Sequence, residues 1–426
     1  MTAEIAILNS KGIALAADSA VSIGNKKVYN SANKLFSLSK NHPIGIMIFG
    51  NAEFMSVPWE TIIKAYRNDE LLNKSFLTLK EYSDNFLEYL KSTTNIGSDN
   101  EQLHITTIVY RDLDKIRNLI LERLDEEFKK NPAQNLTETL IAAITDVEIA
   151  REKSRLTNTK ELVNVTKTYK SNLKKIVTPI FDQFIKEVFE NIKLSNNNIK
   201  TIFDCCIESF YKESFKNGYS GIVISGFGSS EIFPRVFAFN MEGRTLGLLK
   251  YQTNVQGTEA ITVSNQAAIL PFAQREMVDT FMSGVDPELN VFMLGELEVL
   301  FNQMISKITN GTNVKIGKKN KDIITQNSLQ LLQEFNKKCA SARMNCFIRP
   351  IIDSVTALPL DELASMAEAL VNLTSFKRRV TMVAESVGGP IDVAVISKGD
   401  GFIWIQRKQY FKPELNHHYF NNYFTT

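Results

Sequence analysis

The first fifty residues alternate short apolar runs with polar turns. Ile5, Ala6, Ile7 and Leu8 form one run, and Ile13, Ala14, Leu15, Ala16 and Ala17 form the next. Asn9, Ser10, Lys11 and Gly12 separate them, so the pattern predicts a β-hairpin across a glycine-containing turn. Asp18 and Ser19 end it. Two further strands are predicted at 34–38 and 44–49, on either side of the polar turn Lys40, Asn41, His42 and Pro43. Gly50 and Asn51 follow, and a helix is expected from about Pro58.

From about 70 to 217 the apolar period changes from two to between three and four. Residues 105–110 are ambiguous between strand and helix. Leu173, Ile176, Val177, Ile180, Phe181, Phe184, Ile185, Val188, Phe189 and Ile192 recur at i, i+3 and i+4, which predicts an amphipathic helix with a kink or a late start at Pro179. Asn135 followed by Glu138 resembles a capped helix start, with Leu136, Leu140, Ile144 and Val147 continuing an apolar face. Strand patterns return at 221–226 and 235–239, before an expected turn at Met241, Glu242, Gly243 and Arg244, and again at 246–251 and 259–263. Residues 269–357 read as mostly helical, with a basic loop over 310–321. A helix is predicted from Pro359 to about Arg379, then a Gly388-Gly389-Pro390 break and two strands, 391–396 and 402–406, across a Gly-Asp-Gly turn.

Composition narrows the function classes. Lys plus Arg is 49 and Asp plus Glu is 47, a net charge of +2, too balanced for a dedicated nucleic-acid binder. No apolar run reaches membrane-spanning length, and the N-terminus lacks a signal-peptide pattern, so a cytoplasmic protein without a membrane segment is expected. Four sparse cysteines, with no CxxC pair and no Cys/His cluster, suit reduced thiols and no metal site. His417 and His418 read as a solvated tail. Lys315, Lys318, Lys319 and Lys321 read as a solvated basic loop. Gly226, Phe227, Gly228, Ser229 and Ser230 lack the lysine of a phosphate loop and read as a strand-end turn.

The sharpest chemical feature is Thr2. Removal of Met1 leaves a threonine whose hydroxyl can attack a carbonyl while its own α-amine takes the proton. A free α-amine titrates at about 7.7–8.0, close enough to neutrality for a base.

Thr2, Gly12, Ala16-Ala17-Asp18-Ser19, Lys34-Leu35-Phe36 and Phe49-Gly50-Asn51-Ala52 together resemble the proteasome β-subunit family and its bacterial heat-shock relative. Asp18 lies sixteen residues after Thr2 and Lys34 thirty-two after it, and both spacings match the family without a gap. The resemblance spans about 190 residues in three pieces, 1–70, 218–268 and 358–426. It implies an α+β chain with a four-layer αββα N-terminal-nucleophile (Ntn) hydrolase core and two mainly helical insertions, 71–217 and 269–357. It implies Thr2 as nucleophile, Lys34 as the adjacent positive charge, Asp18 as its partner and the Gly50 N–H as an oxyanion donor. Glu385 and Ser386 stand where the family places an Asp and a Ser that steady the threonine, with Ser386 shifted by one residue. The family's other supporting serine has its nearest counterpart at Ser264. Ser22, Ala32, Ile48 and Ala52 are the implied specificity pocket, small or apolar and without charge.

The activity implied is a threonine peptidase that uses no cofactor. A catalytically inactive scaffold or regulatory subunit of the same fold, and an Ntn-type acylase acting on a small amide, are the alternatives. Implied partners are a peptide or protein substrate, further copies of the chain, and an ATP-driven unfoldase or other regulatory protein.

Overall fold

β1 (Ala3–Asn9) and β2 (Gly12–Ala17) pair antiparallel, with Glu4 opposite Ala17 and Asn9 opposite Gly12. This is the hairpin that the two apolar runs predict. The computed structural model describes residues 2–23, 27–29, 32–94, 96–130, 137–215, 218–311, 317–381, 388–409 and 411–418. β3 (Val21–Ile23) and β4 (Lys27–Tyr29) form a separate ladder. β5 (Leu35–Ser37) pairs with β6 (Ile44–Gly50). A small ladder of β7 (Glu53–Phe54) and β8 (Val57–Pro58) leads into α1 (Trp59–Ala65).

Five helices follow: α2 (Leu79–Ser92), α3 (Ser98–Lys130), α4 (Glu138–Thr157), α5 (Lys167–Val188) and α6 (Asn196–Ser209). Strands resume with β9 (Ser220–Gly226), β10 (Arg235–Thr245), β11 (Leu248–Thr253), β12 (Glu259–Ala260) and β13 (Ala267–Ala273). Then come α7 (Glu276–Ser283), α8 (Pro287–Gly311), α9 (Lys318–Arg343), α10 (Arg349–Ala357) and α11 (Leu360–Val380). β14 (Asp392–Ser397) and β15 (Gly401–Gln406) close the described strands.

Two antiparallel sheets result. One runs β13-β1-β2-β14-β15, the other β11-β10-β9-β6-β5. The period of two sends alternate side chains to opposite faces. Ala6, Leu8, Ile13 and Leu15 of the first sheet meet Met47, Phe49, Val223 and Val236 of the second in one buried cluster. The other face of β1 and β2, with Ile5, Ile7, Ala14 and Ala16, packs on Val278 of α7, Val355 of α10 and Leu363, Ala367 and Leu370 of α11. The second sheet covers its far face, including Ile46, Ile48 and Ile222, with Trp59 and Ile62 of α1 and Tyr82 and Phe86 of α2. Strands buried on both faces explain why the runs at 5–8 and 13–17 are continuous rather than alternating. Each buried Ile or Leu of these runs contributes roughly 1.5–3 kcal/mol on burial, and each Ala less. A separate apolar cluster joins α3, α4, α5 and α6. No described side chain of α8 or α9 is buried, and Val291, Phe292, Leu331 and Phe335 are exposed. Among the described residues, no helix is long and apolar enough to cross a membrane.

Several local expectations are corrected. The expected turn at 241–244 lies inside β10, and the chain turns instead at Leu246 and Gly247, both at positive φ. What the sequence presents as a turn is a β-bulge between Met241 and Gly243. The segment 267–273, placed partly among the helices, is strand β13 paired along the whole of β1. Residues 105–110 are helical, within α3. α5 begins at Lys167, capped by Thr166, so Pro179 sits inside it and marks no late start. α4 is capped by Thr137, whose Oγ1 accepts from Leu140 N at 3.2 Å, while Asn135 lies outside the described residues. Of the expected apolar face, Leu136 lies outside the described residues, Leu140 is half-buried, Ile144 is buried and Val147 is exposed, and α4 also buries Ile149 and Leu156. α9 begins at Lys318, inside the expected basic loop, and Lys315 lies outside the described residues.

Candidate active site

Thr2 immediately precedes β1 and is 5 % exposed. The ends of neighbouring strands hold it. Gln274 N donates to Thr2 O at 3.1 Å, and Asp18 N donates to Ala3 O at 3.1 Å. Asp18 follows β2 directly, so the hairpin register places it beside the start of β1. Its Oδ1 accepts from Ala3 N at 3.0 Å and from Lys34 Nζ at 2.5 Å. Its Oδ2 accepts from Gly388 N at 3.0 Å and Ala20 N at 3.2 Å. A carboxylate engaged on both oxygens by four donors is fixed in position.

Lys34 comes from the other sheet. It precedes β5, and its carbonyl accepts from Ile48 N at 2.9 Å. Its side chain is buried and reaches the first sheet at Asp18. Gly50 ends β6 at φ +79°, where a Cβ would stand 2.6 Å from Tyr219 O, so the position requires glycine on two counts.

Thr2, Lys34 and Gly50 line one cleft of about 150 Å³, together with Ala32, Ile48 and Ala52. Ser22 pairs through its backbone with Val28, and its side chain lies outside what the structure describes. Glu385 and Ser386 also lie outside the described residues. The segment just after them does reach the site: Ser19 N donates to Gly388 O at 3.1 Å, and Ser19 Oγ donates to Pro390 O. Ser264 belongs to a turn of its own, with its Oγ 3.2 Å from Thr262 Oγ1, and is not among the residues lining the cleft.

The cleft also holds polar residues that the sequence reading did not single out. Asn33 and Glu60 line it, and Asn33 Nδ2 donates to both Glu60 carboxyl oxygens at 3.2 Å. The wall is therefore apolar at Ala32, Ile48 and Ala52 but carries a carboxylate at its α1 side, shared with Lys64 at 2.6 Å.

The larger omission is Glu4. Thr2 Oγ1 donates to Glu4 Oε2 at 3.1 Å, and Glu4 Oε1 lies 3.7 Å from Lys34 Nζ. Glu4 is 2 % exposed. Its cross-strand partners are Ala17 and Phe272, and Phe272 stacks on Phe49 at 5.7 Å. Burial among these groups pushes the carboxyl up from 4.5 to about 8. Lys34 pulls it down, Asp18 adds to the rise, and the Thr2 hydroxyl and the amino terminus pull it down further. Period two in β1 was the available signal: residues 2, 4, 6 and 8 share a face, so any side chain at 4 must sit beside Thr2.

Two weaker candidates resolve structurally. Backbone N–H groups of the glycine-rich 226–230 segment are already used: Phe227 N on Pro43 O, Gly228 N on Glu231 Oε2, Ser229 N on Phe76 O and Ser230 N on Leu77 O. None of these four remains to cradle a phosphate. His417 and His418 are exposed, and among the described residues no group of three His, Cys, Asp or Glu side chains converges.

No protein-family model matches the sequence, and no curated protein matches it either. Solved structures do. The chain aligns over 99 % of its length with the helical assembly of the Anbu complex from Pseudomonas aeruginosa, covering 93 % of that chain at 8 % identity and a TM-score of 0.32. It aligns over 99 % with Anbu (ancestral beta-subunit) from Yersinia bercovieri, covering 94 % at 10 % identity and a TM-score of 0.26. Anbu from Hyphomicrobium sp. strain MC1 gives 99 % and 94 % coverage, 8 % identity and a TM-score of 0.28. At this level of overlap, the reading of the site rests on its own geometry.

Proposed function

We propose that this chain is a proteasome-like N-terminal-nucleophile hydrolase that cleaves peptide bonds with Thr2. The observation that carries this reading is the convergence of Thr2, Lys34 and Gly50 on one cleft, with Lys34 anchored by Asp18. In this reading the core is a four-layer αββα unit: α10 and α11, the two sheets, then α1 and α2. Segments 71–217 and 269–357 are insertions between its parts, except that α2, β13 and α10 within them pack into these layers.

The chemistry follows from the placement. Removal of Met1 frees the Thr2 amine. Thr2 Oγ1 attacks the substrate carbonyl and its proton passes to that amine. The Lys34 charge favours the ionised hydroxyl over the neutral one. The Gly50 N–H donates to the developing oxyanion, a contact worth about 3 kcal/mol of barrier in comparable sites. Collapse breaks the C–N bond, the leaving amine takes the proton, and water hydrolyses the ester. Glu385 and Ser386 would steady the Thr2 amine. Ala32, Ile48 and Ala52 would receive an apolar side chain preceding the cut.

Intact-mass analysis and an electrophile that modifies N-terminal threonines test this directly. The expected result is loss of Met1 and one covalent adduct on Thr2, absent from Thr2→Ala. Retention of Met1 sinks the amine-assisted mechanism. Loss of Met1 without an adduct leaves a silent scaffold of the same architecture. Turnover of a peptide library against a panel of small amides then separates peptidase from acylase.

A further inference from the structure

We propose that Glu4 is a catalytic residue of this site, the base that takes the proton from Thr2 Oγ1. The inference rests on the reading of Thr2 as nucleophile and changes the assignment of the base from the α-amine to a side chain.

Three observations carry it. The first is contact: Oγ1 already donates to Glu4 Oε2 at 3.1 Å, so the transfer needs no bridging group. General-base catalysis requires this direct reach. The second is an unsatisfied atom. Glu4 Oε1 is buried and accepts no hydrogen bond, beside an Asp18 whose oxygens take four. A buried acceptor left open costs about 1–3 kcal/mol, and such groups gather where chemistry is done. The third is the charge around it. Lys34 faces Glu4 from the second sheet at 3.7 Å, Asp18 at the end of β2 adds a like charge, and the positive amino terminus acts in the same sense as Lys34. Beyond them Lys408, paired with Asp392 of β14, interacts with Lys34 and Asp18. The apolar walls raise the carboxyl's proton affinity and Lys34 moderates it, leaving the group at about 8. A base near the operating pH is the efficient one.

The proton balance closes. As Oγ1 bonds to the carbonyl carbon, its proton moves to Glu4 Oε2 and the π pair moves to oxygen. On collapse the C–N bond breaks and Glu4 returns the proton to the leaving nitrogen. Water then attacks the ester, giving a proton to Glu4. The second collapse delivers that proton to Thr2 Oγ1 and restores the site.

The test is the rate of Thr2 acylation by a β-lactone, read by intact mass on the full chain from pH 5 to 10. In the unaltered protein the rate should rise with a midpoint near 8. A free α-amine titrates in the same range, so the variant decides. Glu4→Gln keeps size and shape and should lower the rate roughly 100-fold or more, with the midpoint gone. Glu4→Asp keeps a carboxyl one methylene further away. It should keep a titration and lose rate, and it serves if the glutamine variant does not fold. Acylation of Glu4→Gln within about threefold of the unaltered rate, with the same midpoint, overturns the role of Glu4 and leaves Thr2 as nucleophile. No adduct on Thr2 in the unaltered protein overturns the parent reading itself, and Glu4 with it.

Discussion

Glu4 has a consequence for stability that is independent of catalysis. Its folded carboxyl holds its proton up to about 8, whereas an unfolded chain releases it near 4.5. Between these values the native state binds more protons than the unfolded state, so stability falls as pH rises. The contribution is fully present below about 4.5 and is lost as pH passes through about 8. Its size is on the order of a few kcal/mol. Glu4→Gln removes the titrating group. Its melting temperature is therefore expected to exceed that of the unaltered protein at pH 8 and to vary less between pH 5 and pH 8. A parallel fall for both proteins across that range would show that Glu4 does not keep its proton. Lys34 behaves differently, because it is the cation between Asp18 and Glu4. Truncating it leaves Asp18 buried without its charge partner, a loss of about 3–5 kcal/mol by comparison with other broken buried pairs.

At the scale of elements, the cleft depends on two strand ends meeting. Phe49 and Gly221 are partners in the β6–β9 ladder, and a Cβ at 221 would fall 2.0 Å from the Phe49 ring. Glycine there lets the ring lie across the strand and stack on Phe272, the cross-strand neighbour of Glu4. Gly221→Ala is expected to displace Phe49 and cost about 1–3 kcal/mol. It should also wet the Glu4 carboxyl and bring its titration down toward 4.5, a shift readable by carboxyl NMR. An unchanged Glu4 titration in a folded Gly221→Ala protein would mean that Phe49 does not wall the site. The same elements show what was legible in the sequence. The runs at 5–8 and 13–17 and the Gly50 turn could be read because each is local, and Asp18 because hairpin register sets it beside the start of β1; Lys34, which comes from the other sheet, was legible only through the family resemblance. β13 was not, because Pro271 argues against a strand. It is tolerated because β13 is the edge of its sheet, with β1 as its partner there. The 241–244 segment carries turn composition because a bulge also wants glycine. The reason for Gly243 lies in another element: His104 of α3 occupies the space a Cβ would fill, at 2.1 Å. Glu4 escaped notice because a charge just before an apolar run reads as the edge of the strand, and the cation facing it comes from the opposing sheet.

On the scale of the whole molecule, the α3–α6 bundle has its own apolar cluster and is tied to the second sheet by buried charge. Glu242 of β10 sits on the bulge and takes Arg111 of α3 on one oxygen and Lys250 of β11 on the other. Lys250 Nζ also donates to Ser209 O at the end of α6, at 2.5 Å. One carboxylate thus joins two strands to two helices of the bundle. Burial acts to raise the Glu242 carboxyl, but Lys250 and Arg111 outweigh it and hold the group below its ordinary value. The linkage therefore has the sign opposite to that of Glu4. Its stabilisation is fully present above the unfolded value of 4.5 and is lost as pH falls through the lower folded value. The two carboxylates bound the stable range from opposite sides, Glu242 against acid and Glu4 against alkali. Glu242→Ala leaves Lys250 without its buried carboxylate partner, and the expected cost is about 3–5 kcal/mol. The loss should be local in hydrogen exchange: faster in α3, α6 and β11, with β1, β2 and α11 keeping their protection, because those pack in a different cluster. Thr2 acylation should then survive at neutral pH, since none of Arg111, Ser209, Glu242 and Lys250 lines the cleft. Uniform deprotection of both sheets would instead show that the bundle and the sheets unfold as one unit, and that the latch is part of a single cooperative core.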